Sequence, residues 1–150
     1  MKVLYVTAEC WPFAKTGGLG DVAYALPKAL KKEGVDVRVM MPKYSTIPTY
    51  LKDRLKKVGE FSVDVSWRSQ YCGVEQLELD GVTFYFIDNE YYFKRDVEQS
   101  ISLLKIPWYC KLCIVYIVFI WLYFGKCAYF SFKYNGNIPV CQSFILITSG

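Results

Sequence analysis

The chain has 150 residues, a formal net charge of +4 and no histidine, so it is long enough for one ordinary domain and not for two large ones. Its modest charge, mixed in sign, lacks the basic footprint of nucleic-acid-binding proteins, and we expect no nucleic-acid partner. The absence of histidine excludes a histidine base, a histidine metal ligand and a histidine pH switch.

The first predicted element is a strand at residues 3–8, an almost wholly apolar run typical of a central parallel strand. A loop with Lys15, Gly17, Gly18 and Gly20 follows it. Strand, glycine-rich loop and helix in this order present backbone N–H groups to a phosphate. The spacing matches neither common phosphate motif, because the lysine precedes the glycines. A purely structural tight turn, with a solvated lysine, is the alternative.

A helix and a second strand come next. Apolar residues recur at i, i+3, i+4, i+7 and i+11 from Leu19, which predicts a helix at 19–33. Pro27 should bend this helix or open it locally, and Gly34 suits the position just after its end. The apolar run 35–41 is the second strand. Strand, helix and strand form a βαβ unit, whose crossover should be right-handed.

A short basic helix is predicted at Thr49–Lys57. We interpret its lysines as a solvated face, and a role for Lys52, Lys56 and Lys57 in holding an acidic partner is the alternative.

Strands are then predicted at 61–67 and 71–79. Asp80-Gly81 separates the second of these from the apolar run 82–87, and this dipeptide between two strand patterns is the strongest short hairpin signal. A β-meander therefore follows the βαβ unit, and its last strand is a candidate to rejoin the main sheet.

The composition changes near residue 96. Residues 96–150 contain four lysines, two acidic residues and four of the six cysteines. Leu112–Gly125 carries no charge, but its 14 residues are fewer than the about 20 that a membrane-spanning helix needs. Cys110 and Cys113 form a C-x-x-C pair with no second pair at zinc-site spacing, so we expect no metal site there.

Several motifs resemble, in order and spacing, the start of bacterial glycogen synthases and plant starch synthases. They lie at residues 1–10, 15–22, 25–30, 36–39 and 41–44. The aromatic cluster before Arg95 also resembles this family, although aromatic packing beside an exposed arginine explains it as well. The resemblance stops near residue 95, which divides the chain into a partial catalytic domain, 1–95, and a tail, 96–150.

The resemblance implies the following fold, activity and ligands. The fold would be α/β, the start of a Rossmann-like N-terminal domain of the GT-B type with a β-meander, truncated and followed by an unrelated hydrophobic tail. The family transfers glucose from ADP-glucose to the non-reducing end of an α-1,4-glucan, with retention and without a cofactor. ADP-glucose and an α-glucan would be the ligands of this chain.

The resemblance makes Lys15 the candidate contact to the nucleotide sugar. Gly17 and Gly18 would let the backbone approach the ligand. Asp21 would hydrogen-bond the nucleotide, with helix capping as the alternative. Glu9 stands at the end of the first strand, where α/β sheets place ligand contacts. No residue is singled out as catalytic, and no metal ligand is expected.

We expect this chain by itself to be inactive, because the family's second domain carries most of the donor pocket. The tail would then be an out-of-frame or wrongly joined segment, with a real membrane-associating extension at 106–125 as the rival. Two other functions remain open: a non-catalytic nucleotide- or sugar-binding module, and a membrane-bound protein anchored by residues 106–125. No secretory signal is recognised, since the apolar start is short and Glu9 follows it, so we expect a cytoplasmic location.

Overall fold

The computed structural model describes residues 1–65, 68–94 and 143–148. The strands and helices are β1 (Lys2–Thr7), α1 (Gly18–Lys32), β2 (Asp36–Pro42), α2 (Thr49–Lys52), β3 (Lys56–Val65), β4 (Arg68–Leu79), β5 (Val82–Asp88), α3 (Glu90–Phe93) and β6 (Ser143–Thr148). They build one mixed sheet with the strand order β3-β4-β5-β2-β1-β6. This architecture confirms the predicted α/β class.

The centre of the sheet is parallel. Strand β1 pairs with β2, with Tyr5 opposite Val39, and β2 pairs with β5, with Val39 opposite Phe84. Tyr5, Val39 and Phe84 are all buried, as expected of strands covered by other elements. The predicted strands at 3–8, 35–41 and 82–87 are therefore confirmed.

Helix α1 connects the first two parallel strands and confirms the predicted helix to within a residue at each end. It runs through Pro27 as one continuous helix, and this proline is buried. Gly34 follows the helix with a φ of +78°, and its N–H donates to the Lys31 carbonyl at 3.1 Å. A left-handed glycine here satisfies carbonyl groups at the helix end.

The predicted meander is present as β3, β4 and β5, all antiparallel. Asp80 and Gly81 join the last two strands with φ values of +51° and +75°. Positive φ at both central positions is the geometry that matches the twist of a two-residue hairpin, and it explains why Asp-Gly signals one.

The prediction of a helix over Thr49–Lys57 is wrong in its second half. Helix α2 ends at Lys52, and Lys56 and Lys57 belong to β3, where they lie opposite Gln76 and Glu75. Pairing with β4 is a long-range interaction, and it prevails over the local helical preference of these lysines.

The loop between β1 and α1 is anchored in the core by Phe13. Its ring lies 4.9 Å from the rings of both Phe84 and Phe86, centroid to centroid, and all three side chains are buried. Tyr44, after β2, packs edge-on against Phe93 of α3 at 6.2 Å. The core therefore fixes the base of the loop and the segment that follows β2.

Strand β6 was not anticipated from the sequence. It pairs antiparallel with β1 over Ser143–Thr148 and occupies the edge of the sheet beside that strand. The apolar segment 106–125 and the C-x-x-C pair at Cys110 and Cys113 lie outside the described residues, as does Arg95. The expectations for these segments remain predictions.

Candidate functional site

The candidate site is the loop that joins β1 to α1, residues 8–17. It stands at the carboxyl ends of the parallel strands β1, β2 and β5, the edge at which open α/β sheets bind ligands. Within it, the Cys10 N–H donates to the Ala14 carbonyl at 2.9 Å, and the Ala14 N–H donates to the Cys10 carbonyl at 3.0 Å. The tight turn of this loop is therefore at 10–14, before the glycines.

Glu9 lies beneath the loop, with only 4% of its surface exposed. Its Oε2 accepts two hydrogen bonds from Thr16, one from the backbone N–H and one from the side-chain hydroxyl, each at 2.6 Å. The Thr7 hydroxyl donates to the Glu9 carbonyl at 2.9 Å. A buried carboxylate is stable only when it is hydrogen-bonded, and here the glycine-rich loop itself supplies the donors.

Gly17 and Gly18 leave open space in front of α1. Gly17 is the residue before the first helical turn, with an extended backbone at φ −155°, and no side chain caps the helix. A methyl group added at Gly18 would meet nothing within 4 Å, and one at Gly17 would only touch Glu9 Oε1 at 4.0 Å. Neither backbone strain nor crowding by described residues requires glycine at these positions. The open space at Gly17 and Gly18 would admit a ligand close to the backbone, and glycine is also a residue that helix N-caps favour.

The Lys15 ammonium is held at the first turn of α1. Its Nζ lies 2.8 Å from the carboxylate of Asp21, and the two side chains are 43% and 58% exposed. Its aliphatic stem crosses Gly20, where an added methyl group would lie 3.1 Å from Lys15 Cγ. Asp21 is thus engaged with Lys15 and does not cap the helix. The structure brings Lys15, Gly17, Gly18 and Asp21 together at one helix end, with Glu9 directly behind them.

Cys10, next to Glu9, does not offer a reactive thiol. Burial, and then the negative charge of Glu9, raises the pKa of its thiol to about 12, so almost none of it is thiolate at neutral pH. Within the described ranges, no group of three or more histidine, cysteine or acidic side chains forms a candidate metal site.

Sequence reasoning missed a cluster at the same edge of the sheet. Lys43, just after β2, lies 2.7 Å from Glu75 of β4 and 3.7 Å from Asp88 at the end of β5. Lys43 and Asp88 stand at the ends of the parallel strands β2 and β5, and this position in the sheet could have marked them as candidates. The third comes from the antiparallel meander, and only the folded sheet places it there.

A separate polar depression of about 670 Å³ lies away from the loop. Its lining residues come from the α2–β3 connection, the start of β3, and β2, β4 and β5, and they include Arg38, Arg54, Lys56 and Tyr85. It shares no residue with the candidate site. Lys56, one of the three lysines considered for an acidic partner, faces this depression, whereas Lys57 is paired with Glu60 at 2.6 Å.

Comparison with known proteins identifies the family. A family profile described as the starch synthase catalytic domain matches residues 2–101. The chain belongs to this family. The match extends a few residues beyond Arg95, where the sequence motifs ended.

Curated relatives of the starch synthase family give the same result. The chain is 77% identical over 100 residues to a glycogen synthase of Clostridioides difficile, which covers 67% of the chain and 21% of the relative. It is 66% identical over 96 residues to a glycogen synthase of Clostridium novyi, covering 64% of the chain and 20% of the relative. The chain therefore spans about a fifth of the length of the curated relatives it matches.

A solved member of the starch synthase family shares the fold. It is the catalytic domain of starch synthase IV from Arabidopsis thaliana, bound to ADP and acarbose, with 25% identity and a TM-score of 0.55. The similarity covers 63% of this chain and 20% of that one. None of the helices in the described part of this chain has the length and apolar character needed to cross a bilayer.

Proposed function

We propose that this chain carries the donor-binding loop of an ADP-glucose:α-1,4-glucan glucosyltransferase, a glycogen or starch synthase. In this reaction, glucose passes from ADP-glucose to the non-reducing end of an α-1,4-glucan. The proposal is supported by family membership, by the relatives named glycogen synthase and by a structural neighbour bound to ADP and acarbose.

The observation that carries the proposal is the position of Lys15. Its ammonium stands at the amino-terminal turn of α1, beside the open backbone of Gly17 and Gly18. The N–H groups of a helix start and its dipole favour an anion at this place. The leaving group of the proposed reaction is a nucleoside diphosphate, which is such an anion.

The chemistry follows from where charge develops. As the glycosidic bond to the diphosphate breaks, negative charge builds up on the phosphate oxygens. Fixed N–H groups and a nearby ammonium stabilise that charge more strongly in the transition state than in the ground state, and this difference accelerates transfer. Lys15, Gly17 and Gly18 would act in this way, and the Asp21 carboxylate would turn from Lys15 to the nucleotide.

The proposal also includes a cellular location. Cys10 and Cys72 are free thiols, which fits a reducing compartment, and we place the protein in the cytoplasm.

A non-catalytic nucleotide-binding module would use the same loop and would bind ADP equally well. Only a transfer assay separates that module from the enzyme.

The test uses a chimera, because the chain spans a fifth of its relatives. Residues 1–95 replace the matching segment of the Clostridioides difficile glycogen synthase, and glucose transfer from ADP-glucose to glycogen is measured. We expect transfer within about tenfold of the parent enzyme, which is 1.4 kcal/mol in transition-state stabilisation. We expect none from the isolated 150-residue chain. A folded chimera that binds ADP but transfers no glucose would favour the non-catalytic module.

A further inference from the structure

The carboxylate of Glu9 is committed to the loop that it supports. One of its oxygens, Oε2, accepts both the N–H and the hydroxyl of Thr16 at 2.6 Å. The side chain is buried, and Thr16 stands between Lys15 and Gly17 in the chain. The two hydrogen bonds therefore act on the residue that connects the ammonium to the glycines.

Bonds of this kind are short because one partner carries a charge, and they are stronger than bonds between neutral groups. Two donors on one residue fix both its backbone and its side chain relative to the end of β1. The other constraints on the loop come from different groups: the Trp11 N–H donates to the Gly20 carbonyl at 3.0 Å, and Phe13 is packed in the core. The Lys15–Gly17 segment has one other described hydrogen bond, from the exposed Lys15 ammonium to Asp21 at 2.8 Å. The two bonds that Thr16 donates to Glu9 are therefore the described ones that tie the backbone of this segment to the end of β1.

We propose that Glu9 is a positioning residue for the nucleotide-sugar site, acting through Thr16, and that it does not contact the ligand. It sets the backbone path from Lys15 to Gly18, so that the ammonium and the helix N–H groups point to one place before the ligand arrives. This proposal rests on the proposed function only for the identity of the ligand that the loop binds. The hydrogen bonds by which Glu9 holds the loop are present in the chain without any ligand.

A direct ligand contact makes different predictions from a positioning role. If the Glu9 charge touched the ligand, Glu9→Gln would be as damaging as Glu9→Ala, and changes at Thr16 would act independently. If Glu9 acts through Thr16, Glu9→Gln keeps an acceptor oxygen and preserves most of the effect. Removing the Thr16 hydroxyl should then matter only while Glu9 is present, because the two groups form one unit.

The experiment measures two quantities on the 150-residue chain and its variants. Amide hydrogen exchange at Thr16 reports on the loop without ligand, and titration with ADP, followed by NMR, gives the dissociation constant. The variants are Glu9→Ala, Glu9→Gln, Thr16→Val, Thr16→Ser and the double variant Glu9→Ala/Thr16→Val. Thr16→Ser retains both donors and is the conservative control.

We expect Glu9→Ala to raise Thr16 exchange and the ADP dissociation constant by about tenfold each, the scale of one charge-assisted hydrogen bond. Glu9→Gln and Thr16→Ser should stay within about threefold of the parent chain, and the double variant should bind ADP no worse than Glu9→Ala. Thr16 exchange unchanged in Glu9→Ala would overturn the proposal, as would additive losses in the double variant. If the parent chain binds no ADP, Thr16 exchange still decides whether Glu9 holds the loop, and the ADP titrations are made in the chimera with the Clostridioides difficile enzyme. A folded chimera that binds no ADP would contradict the proposed function without affecting the result of the exchange measurement. If Glu9→Ala does not fold, the comparison of Thr16→Val with Thr16→Ser tests the same contact, because only the first removes the hydroxyl that donates to Glu9.

Discussion

The ammonium of Lys15 and the carboxylate of Asp21 form an ion pair of 2.8 Å across the first turn of α1. Both side chains are more than 40% exposed, and exposed pairs of this kind contribute only about 0–1 kcal/mol to stability. The pair can therefore be exchanged at small cost for a contact with an incoming anion. The Lys15 ammonium therefore stays exposed at the amino end of α1, where an anion can reach it.

Replacing Lys15 tests this directly. In the chimera with the Clostridioides difficile enzyme, we expect Lys15→Ala to lower kcat/KM for ADP-glucose by about ten- to a hundredfold, since a charge-assisted contact contributes about 1.5–3 kcal/mol. Steady-state transfer to glycogen measures this effect. Lys31→Ala, at the far end of α1, is the control and should leave the rate unchanged. An equal rate and KM in Lys15→Ala would make this lysine a surface charge only.

The turn between β4 and β5 offers a test of backbone conformation. Gly81 has a φ of +75°, a region that costs an alanine about 1–2 kcal/mol. Gly81→Ala should lower the free energy of unfolding by this amount, as measured by urea denaturation. Gly59 is a matched control, because it lacks a positive φ and a methyl group there meets nothing within 4 Å. Gly59→Ala should be neutral or slightly stabilising.

A pH-dependent contribution to stability is expected where α1 meets this turn. The Asp80 carboxylate accepts hydrogen bonds from Lys28, at 2.6 Å, and from the Tyr24 hydroxyl. These bonds, that from Lys28 first, lower the pKa of Asp80 below its ordinary value of 3.8. A carboxyl with a lowered pKa in the folded state adds stability above its unfolded pKa, and this stability is lost as the pH falls through the folded value.

The comparison is between the parent chain and Asp80→Asn. The difference in their unfolding free energies should be constant above about pH 5 and should vanish as the pH falls well below about 4. Asp53→Asn is the control, because Asp53 makes no ion pair with any described residue. A difference for Asp80→Asn that persists unchanged at pH 2–3 would assign the effect to the turn and not to the charge.

The ion pair of Lys43 with Glu75 tests how partial burial changes the coupling free energy between two opposite charges. Lys43 and Glu75 are 23% and 18% exposed, whereas Lys94 and Glu90 of α3 are 69% and 76% exposed. A double-mutant cycle with Lys43→Met and Glu75→Gln should give a coupling of about 1–2 kcal/mol, within the range for contacting residues. The same cycle at the exposed pair should give at most about 0.5 kcal/mol. Equal couplings would show that Lys43 and Glu75 are solvated like a surface pair.

The sequence predicted what local periodicity determines. The apolar run of β1, the helical spacing from Leu19 and the Asp80-Gly81 turn each depend on residues close in the chain, and each is present in the structure. The end of α2 was missed because Lys56 and Lys57 pair with a strand about 20 residues away. A local pattern contains no information about that partner.

The candidate site likewise has a part that the local sequence indicated and a part that only the fold brings together. The sequence named Lys15, Gly17, Gly18, Asp21 and Glu9 as candidates because they lie in one short segment whose motifs resemble the family, and the structure places them at one helix end. The bond between Glu9 and Thr16 was not foreseen, since it requires the chain to return over the end of β1. The contact of Lys43 with Glu75 was missed for a stronger reason, because it joins two elements that only the sheet order brings together.

The sheet order also has a consequence for synthesis on the ribosome. Strand β2 lies between β1 and β5, and β5 emerges about forty residues after β2 ends. Until then, one edge of β2 has no neighbour, and Phe13 lacks the rings of Phe84 and Phe86. The meander needs only short turns and can form as soon as it is made, whereas the parallel pairing must wait for it. The segment with the glycine loop is thus translated well before β5, and its core is completed only after β5 has emerged.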